Sequence, residues 1–308
     1  ESAHAEGHYT QANNKYAHSE GNGTIASGEG SHAEGTSTQA IGSYSHAEGT
    51  STQAISVASH AEGLNTKAKF NYAHAEGANT IANNLAAHAE GASTSTDGLY
   101  SHVEGQDSSI SSAGQAGHAE GKGTKVTAMY AHAEGEGTTA GAMGSHAEGG
   151  HTTASGGYSH AEGASTTASG GVAHAEGYTT TASGQYSHAE GDQTVASNIG
   201  CHAEGYKSQA TNQYAHAEGY NTKAFGLYSH AEGQETTASG PFSHAEGIKS
   251  EATSGGCHAE GYVCKVTAPG AHAEGENTMA SGYHSHAEGL GTLASSARQH
   301  VQGQYNVE

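Results

Sequence analysis

The sequence has no tryptophan, and its 308 residues include only 3 Phe, 3 Met and 3 Cys. Hydrophobic residues make up 33 %, mostly Ala, too little apolar bulk for a conventional core to offset chain entropy. Cations are equally scarce: 10 Lys and Arg face 31 Asp and Glu, for a net charge of -21. No basic patch exists to attract nucleic acid or an anionic membrane. No apolar run approaches the roughly 18 residues of a membrane-spanning helix, and no signal peptide is visible. Asp is confined to Asp97, Asp107 and Asp192, which excludes a calcium-binding Gly-Gly-x-Gly-x-Asp roll. No Pro-Cys-x-x-Cys follows the His-x-Glu pairs as in zinc deaminases, and no His-Glu-x-x-His marks a metalloprotease. Phosphate-binding Gly loops lack a strand-to-helix context. An enzyme is not expected.

What is present is a repeat. His-Ala-Glu-Gly recurs every 14 residues, from His4 to His300, with a single step of 16 between His102 and His118. A short fixed period means stacked copies of one small unit, and it argues against disorder. The unit has two seven-residue halves, each small-x-Ala-x-Gly-x-x, as in Ser31–Gly35 and Thr38–Gly42. Alternation over five residues is a strand pattern, and the helical spacing of three and four is missing. Gly closing the first half fits a turn with positive φ. The expected fold is all-β, a parallel β-solenoid of two-strand rungs about 4.8 Å apart, with Ser, Thr, Ala and Gly inward in a thin core. Residues 1–297 form the solenoid. The two extra residues within 105–117, with Val103 in place of Ala, predict a bulge or enlarged turn that restores register. Thr24, Thr38, Thr52, Thr66 and Thr80 fall inward, which argues against a Thr ladder facing ice.

The two outward faces differ. The second half varies, with Gln39 and Ile41, Lys67 and Lys69, Thr167 and Ser169, Lys223 and Phe225, and reads as solvent-facing. The first half carries His and Glu in 21 of 22 rungs; the last has His300 and Gln302. The 21 in-register Glu equal the whole net charge, because the other 10 acids balance the 10 cations. A face so uniform wants one uniform environment, most simply a symmetry axis shared with copies of itself in a homotrimer. The rungs assigned to that axis carry His4 and Glu6, His18 and Glu20, His32 and Glu34, His46 and Glu48, His60 and Glu62, His74 and Glu76, His88 and Glu90, His132 and Glu134, His160 and Glu162, His188 and Glu190, His216 and Glu218, His244 and Glu246, and His272 and Glu274. Tyr16, Tyr44, Tyr72, Tyr100, Tyr130, Tyr158, Tyr186 and Tyr214 stand two residues before His on alternate rungs, where a ring over a small residue fills space at the turn edge.

Bare Glu charges stacked at about 4.8 Å repel by roughly 0.9 kcal/mol per neighbour in water and about 3.5 at an effective dielectric of 20. Two ways of neutralising such a column are open. His can pair with Glu of the next chain, or three chains can offer His and Glu to a divalent metal on the axis. No cofactor is otherwise expected. If pairing raises the His pKa values, stability would fall as pH rises through them. Cys201 and Cys257 lie too far apart to bridge. Cys257 and Cys264 point inward on facing strands, where either a bridge or two thiols replacing Ser and Thr fits.

The half-repeat resembles the head repeat of trimeric autotransporter adhesins of the YadA type, over nearly the whole chain. The resemblance implies a left-handed parallel β-roll that trimerises, with Val and Ile facing the axis. Here His32, Glu34 and their equivalents replace them, so the seam would be polar. The Ser-His-Ala-Glu-Gly wording is also similar to phage and prophage tail-fibre proteins and related bacterial surface proteins. Residues 298–308, beginning Arg298-Gln-His-Val-Gln-Gly, resemble the junction that precedes an autoproteolytic intramolecular-chaperone domain, which would lie beyond Glu308. Glu1 falls within a repeat, so the sequence is expected to be a fragment or processed product. The implied function is a structural shaft or head of an extracellular fibre, on a virion tail or cell surface, presenting a host-binding tip outside this chain. The alternative is a module that binds glycan or a cell surface through its variable face. Neither involves nucleic acid or membrane insertion.

Overall fold

The computed structural model of the chain describes residues 2–306; Glu1 and, within the expected junction, Val307 and Glu308 lie outside the described residues. The chain is an all-β parallel solenoid in two units, residues 1–155 and 156–308. The first unit has eleven five-residue strands, His4–His8 to His146–Gly150, alternating with eleven two-residue strands, Gln11–Ala12 to Thr153–Ala154. The second repeats the pattern from His160–Ala164 to His300–Gln304, with ten short strands between the long ones.

Within each unit the strands pair in register with their counterparts in the next rung, 14 residues on except across the 16-residue step, so like residues stack. His32 pairs with His46, Ala33 with Ala47, Glu34 with Glu48 and Gly35 with Gly49; His216 through Gly219 pair likewise with His230 through Gly233. The turns continue the ladder. Ser37 N–H donates to Asn22 O at 2.9 Å and Tyr44 N–H to Glu29 O at 2.8 Å, each from a left-handed backbone, φ 57° and 58°. Rung-to-rung hydrogen bonds therefore run along all sides of the solenoid, and they supply what a thin core does not.

That core holds mostly small side chains. Ser31, Ala33, Thr38 and Ala40 are buried, as are most of their equivalents between the terminal rungs, including the expected Thr24, Thr52, Thr66 and Thr80. The Gly closing each long strand explains its own invariance. Gly35 sits at φ +112°, and a Cβ there would lie 2.1 Å from Gly49 O of the next rung. Where Ser precedes the His it is more than filler: Ser45 Oγ donates to Gly42 O at 2.7 Å, closing the turn. Cys257 makes the same contact, Sγ to Ser254 O at 2.9 Å. All three cysteines are buried free thiols, so Cys257 and Cys264 are not bridged.

The long step behaves as expected. Register is kept across it, His102 pairing with His118 and Ser109 with Lys125. The two extra residues fall after Ile110, where 111–117 makes two successive turns closed by Gly114 N to Ser111 O and Gly117 N to Gly114 O. In and beside the widened rung lie Ile110, Val103 and Val126, three of the four largest fully buried side chains among the described residues; the fourth is Val266. Ile110 and Val126 fit because Gly114 and Gly117 have no Cβ: one would lie 2.4 Å from Ile110 Cγ2, the other 2.7 Å from Val126 Cγ1.

Candidate functional site

Strand alternation puts every His and Glu of the long strands on one outward face of their unit, opposite the buried Ala between them. All the axis residues predicted from sequence lie there. Parallel in-register pairing stacks the imidazoles, with neighbouring ring centroids 4.8 Å apart at His32 and His46, 4.5 Å at His88 and His102 and 4.7 Å at His216 and His230. The rings lie nearly parallel, within 11° in these three pairs.

Within a rung, His Nε2 faces the carboxylate two residues on. The separation is 3.7 Å at His32 and Glu34, 3.4 Å at His102 and Glu104 and 3.9 Å at His216 and Glu218. Most of these distances exceed hydrogen-bonding range, and none of the three is a hydrogen bond. Glu246 spans two rungs, with Oε2 3.9 Å from His244 Nε2 and Oε1 3.4 Å from His258 Nε2. The imidazoles as a whole are about one-third exposed, 38 % at His32 and 36 % at His244. Their Nε2 atoms are nevertheless sealed. Those of His88, His102, His216, His230, His244 and His258 are buried and make no hydrogen bond.

Burial acts on the ring charge. The pKa of His32, His60, His88, His132, His174, His202, His216, His244 and His272 is lowered from 6.5, first by desolvation and then by neighbouring imidazoles; nearby Glu charges oppose this without overcoming it. The rise considered from sequence is therefore reversed in the single chain. Spacing alone gives the facing of His and Glu but not the ring burial that decides the sign.

Three side-chain donors approach one another repeatedly along the face. In each of His88, Glu90 and His102; His216, Glu218 and His230; His230, Glu232 and His244; and His244, Glu246 and His258, one ligand atom per residue lies within 4.8 Å of the other two.

Sequence reasoning missed a second feature, an aromatic run at successive rungs. The 28-residue Tyr series stops at Tyr214, but Tyr214, Tyr228 and Phe242 form one stack with centroids 5.1 and 5.3 Å apart. Tyr206 and Tyr220 stack at 5.0 Å on the other edge of the long strands. A spacing of 14 between aromatics was the available signal. The alternating Tyr are turn residues as expected, though well exposed: Tyr44, 66 % exposed, leans toward Gly30 of the preceding rung, where a Cβ would lie 3.1 Å from its ring.

Residues 19–45, 175–197 and 273–295 match the family model described as the YadA head domain repeat (2 copies). No curated protein matches the chain. No helix among the described residues is long and apolar enough to cross a membrane.

Proposed function

We propose that the chain, a parallel β-solenoid three segments of which match the YadA head repeat, is a mechanical segment of a trimeric extracellular fibre, with its His–Glu face at the trimer seam. The observation that carries this reading is the uniformity of a face that is only partly exposed in one chain. Twenty-one rungs keep His and Glu outward while the opposite face varies freely, and a closed symmetric interface imposes such uniformity. The fibre would be a phage tail fibre or a surface adhesin, and its work would be to project a binding tip rather than to catalyse a reaction.

Light scattering of the purified chain tests this directly. The expected mass is three times 30.8 kDa. Replacing His32, Glu34, His46, Glu48, His60 and Glu62 by Ala together weakens the trimer and leaves the β-sheet circular dichroism in place. A wild-type monomer at micromolar concentration sinks the seam.

The aromatic run gives the glycan-binding alternative some footing, since Tyr214, Tyr228 and Phe242 are half or more exposed. However, rings stacked on one another turn edges outward, whereas a sugar packs on a ring face. A glycan array probed with the intact chain decides the point, and we expect no saturable binding.

A further inference from the structure

The His–Glu ladder holds donors in a pattern that salt bridging does not explain. His Nε2 and Glu oxygen stand 3.4–3.9 Å apart in the rungs beginning His102 and His216 and about Glu246. Two donors about 2.0–2.1 Å from a tetrahedral ion are about 3.3–3.4 Å apart. The facing pair is therefore too open for a good hydrogen bond and close to the spacing of two ligands on one ion. The next rung adds a third donor within 4.8 Å, and the Nε2 atoms involved are buried without a hydrogen bond.

We propose that the ladder is a divalent transition-metal array, each ion held by the Nε2 of one His, the carboxylate of the Glu two residues on, and the Nε2 of the next rung's His. The clearest site is His244, Glu246 and His258, where one carboxylate already reaches both imidazoles. Small imidazole rotations bring the three donors onto one ion, with solvent completing a tetrahedron. Two nitrogen donors select Zn²⁺, Ni²⁺, Co²⁺ or Cu²⁺ over Mg²⁺ and Ca²⁺, which take oxygen. Burial favours the neutral imidazole that metal binding requires.

Lone-pair counting fixes the stoichiometry. His230 belongs to two donor groups and His244 to two, but each Nε2 offers one lone pair and serves one ion. The sites His216–Glu218–His230 and His244–Glu246–His258 fill together, and the group between them stays empty. Charge counting gives the same answer. One dication per two rungs balances the two Glu of those rungs, whereas one per rung would invert the ladder's charge and restore repulsion between neighbours. This array differs from a metal shared by three chains at one level, because each ion bridges successive rungs of a single chain. It does not rest on the trimer.

The test is zinc uptake by the full chain, with Zn²⁺ added to the folded protein and also present during refolding, followed by dialysis and elemental analysis. We expect saturation at no more than one Zn²⁺ per two rungs, competition by Ni²⁺, and none by Mg²⁺. A variant with His216, His230, His244 and His258 all changed to Asn should hold two fewer ions, with its β-sheet circular dichroism intact. If that variant does not fold, Glu218→Gln, Glu232→Gln and Glu246→Gln together should lose the same two ions, the middle carboxylate being removed so that His230 and His244 cannot hold an ion between them. No uptake by wild type under either condition, one ion per rung, or a full complement in the folded variant overturns the array. A monomer that binds zinc overturns only the trimer; a trimer that takes up none overturns only the array.

Discussion

At the scale of single residues, the strictest requirement falls on glycine, and not on every glycine alike. Gly163 closes a long strand at φ +106°, and a Cβ on it would lie 2.2 Å from Gly177 O. Both the backbone angle and the next rung's carbonyl exclude a side chain. A Cβ on Gly157 would have no neighbour within 4 Å, and its φ is not positive. Gly163→Ala should therefore cost about 3 kcal/mol, while Gly157→Ala changes stability by less than about 0.5. Because repeat stability is local, hydrogen exchange of the amides around Ala161–Gly177 is the informative measurement. Equal effects at the two sites would mean that the close rung spacing is not what fixes the Gly. The invariant Gly was legible in the sequence as a turn signal. The carbonyl contact was not, since it depends on the neighbouring rung lying directly above.

At the scale of elements, the in-register parallel pairing was legible because alternation and a period of 14 leave one arrangement. The unequal strands were not. Both halves read small-x-Ala-x-Gly, yet the first pairs over five residues and the second over two. The second half instead turns back on itself after Ile41, Ser45 N–H donating to Gly42 O at 3.2 Å and Ser59 N–H to Ser56 O at 3.2 Å, and the second ladder ends there. The insertion was visible as a length, but its function in packing was not. Ile110 and Val126 make a region where apolar volume exceeds that of the usual Ala and Thr. Ile110→Ala should open a cavity and cost about 2–4 kcal/mol, more than truncating a Thr of the ordinary core. Exchange should accelerate in the strands Ser109–Ile110 and Lys125–Val126 and leave distant rungs protected. Uniform loss of protection along the first unit would show that the insertion anchors more than its own rungs.

At the scale of the whole molecule, the charge and the imidazoles are one problem, because the ladder Glu equal the net charge of -21 and the His stand among them. The candidate face was legible from this arithmetic, but the protonation state was not, because it depends on how far each ring is buried. In the folded chain the nine named imidazoles titrate below 6.5, with desolvation as the largest cause. On acidification the unfolded chain takes up these protons first. Stability contributed by the neutral rings is therefore complete above about pH 6.5 and is lost as pH falls through the folded values. Thermal melting between about pH 7.5 and about pH 5.5 should show the midpoint falling with pH. A ladder variant with His→Asn in many rungs should flatten that slope. Assembly makes the direction informative: a seam that buries the rings deeper as neutral groups steepens the loss, whereas carboxylates of neighbouring chains closing on Nε2 raise the pKa and reverse it. A midpoint that rises on acidification would therefore identify protonated His–Glu pairing across chains as the way the column is neutralised, and would set aside the neutral ring that zinc requires.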